Sequence, residues 1–116
     1  MVELLLEKYP DIINWKDNFG GTGFMSACMN NSLEVVELLL AKFPYIIDQE
    51  TRFRWTGFII ACRNNSLEVV KLLLENYPDI IDQKTRFGST GFIFACLNNN
   101  LEVIKLLLEK SSDIVN

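Results

Sequence analysis

The chain has 116 residues, a formal net charge of -4, 49% hydrophobic and 22% charged residues, three cysteines and no histidine. Such a composition excludes intrinsic disorder and suits one compact domain, and no apolar run approaches the roughly 18 residues that span a bilayer. Without histidine, and with cysteines too few and too far apart for a zinc site or a disulfide scaffold, the chain is expected to be a non-enzyme with no metal and no cofactor.

The opening MVELLLEKYP carries Glu3 and Glu7 where a secretory leader needs basic residues, so the chain is expected to be soluble and intracellular, cytoplasmic or nuclear. Its leucines read as a short helix ended by Pro10. Further on, Leu33-Glu34-Val35-Val36 recurs as Leu67-Glu68-Val69-Val70 and as Leu101-Glu102-Val103-Ile104, a step of 34 residues. The same step links Thr22-Gly23-Phe24, Thr56-Gly57-Phe58 and Thr90-Gly91-Phe92, and also Ala27-Cys28, Ala61-Cys62 and Ala95-Cys96. Run backwards, it sets Met1 opposite Val35, so residues 1–16 are the second half of a repeat, followed by repeats 17–50, 51–84 and 85–116.

Each copy makes the same local predictions. In the central one, Thr56 can cap a short helix from about Gly57 to Asn64, kept thin by Ala61 and Cys62. Asn64-Asn65 ends it, because asparagine tolerates the left-handed conformation, and Ser66 is the expected cap of a second helix running to about Tyr77. Leu67, Val70, Leu73, Leu74 and Tyr77 follow helical spacing, and Val69 and Leu72 widen the stripe so that it faces neighbours on more than one side. Pro78 ends that helix, and Ile80-Ile81-Asp82-Gln83 leads into a hairpin-like excursion back to Thr90. The last copy should end with its second helix and the following turn. Cys28, Cys62 and Cys96, in one register, are expected in the core.

This pattern of turn, Thr-led short helix, tight turn and Leu-rich helix resembles the ankyrin repeat, and the resemblance covers essentially the whole chain. Asp17-Asn18-Phe19-Gly20-Gly21-Thr22 fits the family's Asp-x-x-Gly-x-Thr entry, Ala27 its small helix position and Leu33 to Leu40 its second helix. The resemblance implies an all-α solenoid of stacked helix-turn-helix units joined by hairpin-like loops. The sequence departs from the family where Thr-Pro-Leu-His becomes Thr-Gly-Phe, so that Phe24, Phe58 and Phe92 must supply packing in place of the histidine's hydrogen bonds. It departs again where Thr51 and Thr85 replace the hairpin Asp kept at Asp17.

The resemblance also implies a function, protein–protein recognition on the concave side made by hairpin tips and first helices. Candidate contact residues are those that vary between copies at exposed positions, and all four arginines fall in that set: Arg52, Arg54, Arg63 and Arg86. Phe53, Trp55 and Phe87 are interleaved with them, and Gln49 to Arg63 carries a local charge of +2 in an acidic chain. Arginine and aromatic side chains dominate protein-binding hot spots. Arg52, Phe53, Arg54, Trp55, Arg63, Arg86 and Phe87 are therefore the candidate site, for a protein partner with an acidic or mixed acidic-apolar surface. The competing reading makes Phe19, Phe53 and Phe87, invariant between copies, half-buried scaffold under the hairpins.

Net charge and the lack of a long basic stripe argue against nucleic acid. Gly20-Gly21-Thr22-Gly23 lacks the Lys-Ser/Thr end of a phosphate cradle and reads as a turn. The ends suggest an alternative. Val2, Leu5 and Leu6 at the start and Leu101 to Leu108 at the finish lack the polar outer face of capping repeats. That points either to a piece of a longer array, such as a regulatory segment of a larger protein, or to a self-associating scaffold or spacer stacked end to end.

Overall fold

Three threonines start the first helices. In the computed structural model, which describes residues 2–115 and the side chains of residues 4–111, Thr22 Oγ1 accepts from the Met25 N–H, Thr56 Oγ1 from Ile59 and Thr90 Oγ1 from Ile93. These caps open α2 (Gly23–Met29), α4 (Gly57–Arg63) and α6 (Gly91–Leu97). Each helix stops at an asparagine pair whose second member, Asn31, Asn65 or Asn99, takes φ of +55 to +58°, a conformation asparagine tolerates better than most residues.

The chain then reverses into the Leu-rich helices α3 (Leu33–Lys42), α5 (Leu67–Asn76) and α7 (Leu101–Val115), with α1 (Val2–Lys8) in the register of Val36–Lys42 of α3. Ser66 precedes α5 but does not cap it by its side chain. Its buried Oγ donates instead to the Met29 carbonyl of the preceding repeat, 3.0 Å away. The expected local cap is thus a contact between repeats.

Pro10, Pro44 and Pro78 end α1, α3 and α5 and each starts a single 3-10 turn: Pro10–Asn14, Pro44–Asp48 and Pro78–Asp82. The sequence pattern predicts only that the isoleucines there lead into a hairpin. Instead, proline fixes φ at the turn's start, and burial of Ile13, Ile46, Ile47 and Ile80 holds the turn against the core. At the corresponding place in the last copy stands Ser112, and α7 runs on through it to Val115 without the expected turn. No proline removes an N–H there, so the helix continues.

Among the described residues there are seven α-helices and no strand, only an isolated antiparallel bridge between Lys84 and Thr90. First helices pack side by side as α2, α4 and α6, and second helices behind them as α3, α5 and α7, giving a body of 44 × 26 × 22 Å. The core runs between the two rows, with Phe24, Phe58, Val36, Val70, Leu73 and Leu107 among its most buried side chains. Cys28 and Cys62 belong to it, and burial pushes both thiols far up. Cys96 does not. It is exposed, as are Phe92 and Ile93 beside it, because among the described residues no helix packs on the outer side of α6.

Candidate functional site

The hairpin tips form a ladder along one edge. Asp17 Oδ1 accepts from the N–H groups of both Phe19 and Gly21 at 2.8 Å. Thr51 and Thr85 keep one of these two bonds, accepting from Trp55 at 3.1 Å and Ser89 at 3.3 Å. The tips also join to one another, since the Arg52 N–H donates to the Phe19 carbonyl at 3.1 Å and the Arg86 N–H to that of Phe53 at 2.7 Å. A hydrogen-bonded row of backbone therefore presents the side chains of Asn18, Phe19, Arg52, Phe53, Arg54, Arg86 and Phe87.

Those side chains face solvent. Phe53 and Phe87 stack on each other with centroids 5.9 Å apart, yet remain 44% and 80% exposed, and Phe19 is 72% exposed. Phe19 and Phe87 overturn the scaffold reading, because the hairpin tips lie beyond the helix layer, whereas Phe53, partly covered by Phe87, is half-buried as that reading expects. Arg52, Arg54 and Arg86 are exposed around them. Arg54 has φ of +66°, in the register where Gly20 and Gly88 take +84° and +83°. A side chain in that conformation costs about 1–2 kcal/mol, and its guanidinium meets Glu50 at 3.5 Å in a solvent-exposed pair that returns little.

Trp55 and Arg63 form a second cluster on the first-helix flank. Trp55 is half-buried, its ring 4.5 Å from that of Phe94 on α6, and Arg63 lies over it at 5.5 Å in cation–π geometry. Trp55 is therefore part of the joint between repeats as well as of the surface. Phe94, which completes this cluster, escaped the sequence reading. The signal was the variation Ser26, Ile60, Phe94 along one register. The seven candidate residues thus divide between an aromatic ladder with three arginines and a Trp–Arg pair, joined through residues 53–55.

No group of three or more His, Cys, Asp or Glu among the described residues could hold a metal, and no described helix is long and apolar enough to cross a membrane. The deciding comparison is with protein families, where the model for ankyrin repeats in three copies matches residues 1–84 and 44–116. The chain belongs to the ankyrin-repeat family. Ankyrin repeats are in general non-enzymatic modules of protein–protein interaction. No curated protein matches the chain.

Proposed function

We propose that this ankyrin-repeat chain binds a protein partner, intracellularly, through the edge formed by Arg52, Phe53, Arg54, Trp55, Arg63, Arg86 and Phe87. The partner surface is acidic or mixed acidic-apolar: carboxylates for the four guanidinium groups and aliphatic side chains for the stacked Phe53 and Phe87. The hydrogen-bonded ladder preorganises these groups, so that little conformational entropy is lost on docking. The observation that carries the reading is Arg54, which holds a left-handed backbone that the neighbouring copies give to glycine. Strain kept at an exposed position, with no packing in return, is a mark of function.

The test uses peptides selected from a displayed library on the immobilised chain. Acidic-apolar sequences should be enriched, and Arg52→Ala with Arg86→Ala should weaken them at least tenfold. Arg54→Gly should raise the unfolding midpoint, by about 1 kcal/mol in stability, while weakening the same peptides. Binding that is indifferent to all three changes would refute the site.

A second reading, self-association end to end, is favoured by exposed Phe92, Ile93 and Leu108 on the outer side of α6 and α7 and by the open space beside Gly23 at the start of α2.

A further inference from the structure

The contact by which one repeat closes on the next is built twice in the same way. A Cβ added at Gly57 would come within 2.6 Å of Phe24 Cε2 and 2.9 Å of Cys28 Sγ. One added at Gly91 would come within 2.7 Å of Cys62 Sγ and 3.1 Å of Phe58 Cε2. Glycine is needed at the start of each of these helices because the preceding repeat's Phe and Cys press directly on its backbone. Gly23 stands in the same register and meets nothing within 4 Å. At the other end, Phe92 is 38% exposed and Cys96 is exposed, with no glycine against them. Both halves of one more joint are thus present on this chain, at opposite ends.

The 34-residue register supplies further matched groups. The step from Arg52 N–H on Phe19 O to Arg86 N–H on Phe53 O continues as Asn18 N–H on Phe87 O. Ser66 Oγ donates to Met29 O at 3.0 Å and Asn100 Nδ2 to Arg63 O at 3.1 Å, which continues as Ser32 on the carbonyl of Leu97, a residue 75% exposed. Beside Gly23 a cavity of about 190 Å³ opens, bordered by Leu6, Ile13, Val35 and Leu39.

We infer that the α6–α7 face of one copy docks on the α2–α3 end of a second copy in the register of the internal joints, with Phe92 and Cys96 against Gly23. The inference rests on the self-association reading and gives it a geometry. The incoming α7 takes the row that α1 holds. Among α1's described side chains only Leu6 is buried, so α1 is weakly held and leaves as the copy docks. The joint is heterologous and does not close, so copies add head to tail.

The experiment is the mass of the unmodified chain beside that of Gly23→Leu. In the single chain the added Cβ enters open space, and a melt no lower than that of the unmodified chain shows that the fold is kept. In the joint the same side chain would press on the neighbour's Phe92 and Cys96, as a Cβ at Gly91 would on Phe58 at 3.1 Å and Cys62 at 2.7 Å. Light scattering on the unmodified chain should show mass rising with concentration, and Gly23→Leu should keep the mass of a single chain over the same range. Mass that rises equally in both would overturn this joint and leave self-association standing. Constant mass in the unmodified chain would overturn both.

Discussion

Helices α4 and α6 differ at only two of seven positions, GFIIACR against GFIFACL, yet they live in different surroundings. In α4, Phe58, Ile59 and Cys62 are wholly buried, whereas in α6 their counterparts Phe92, Ile93 and Cys96 are exposed. In a solenoid the burial of a residue is decided by the next repeat and not by its own. A core can therefore be read from repeat registers only for copies that have neighbours on both sides.

The sharpest way to break this comparison is truncation of the paired phenylalanines. Phe58→Ala removes a fully buried ring and should cost about 3–5 kcal/mol, whereas Phe92→Ala removes a ring already partly in water and should cost roughly half as much or less, in proportion to the area it buries. Urea midpoints of the two variants measure the difference. Equal losses would mean that α6 is covered in solution.

The glycine pair sharpens the same contrast from the other side of the joint. Gly57→Ala forces a methyl against Phe24 and Cys28 and should destabilise by about 1–3 kcal/mol. Gly23→Ala meets nothing, and should be neutral or stabilise by up to about 1 kcal/mol through the unfolded chain's lost freedom. Thermal melts of the two variants settle the sign.

How far the sequence carried this reading depended on whether a feature was local. The threonine caps, the left-handed asparagines and the proline stops follow from single residues and their neighbours, and all could be read from the chain. The 3-10 turns were missed because Pro-x-Ile-Ile becomes a turn only when its isoleucines find the core. Ser66 was misread as a local cap because its partner, Met29 O, lies 37 residues away. The candidate arginines and Trp55 stand out by their variation between registers, whereas Phe53 and Phe87 do not vary and are marked only by lying between the arginines. Phe94 was missed because its role is to hold Trp55, a contact between copies. Cys96 differs from Cys62 for the reason that separates α6 from α4: no described helix packs on the outer side of α6.

The smallest effect concerns the two Asn–Glu positions at the backs of the joints. Asn31 Nδ2 donates to Glu68 Oε2 at 2.6 Å, and Asn31 Oδ1 accepts from the Val69 N–H at 3.1 Å, clamping one repeat to the next. In the following joint Glu102 instead lies 3.8 Å from Lys105 Nζ of its own helix. The Asn31 amide, together with a backbone N–H, favours the charged carboxylate and holds Glu68 below its ordinary value of 4.5. A group whose pKa is lowered by folding adds stability that is present above its unfolded pKa and is lost as pH falls through the folded one. Glu68→Gln keeps an acceptor for Asn31 but has no proton to bind. The chain should therefore melt slightly above Glu68→Gln at neutral pH, and the gap should close on acidification below the ordinary glutamate range. Melting curves of both at about pH 7 and about pH 3, on either side of that range, give the answer, and a gap that persists unchanged in acid would mean that it owes nothing to the charge that Asn31 stabilises.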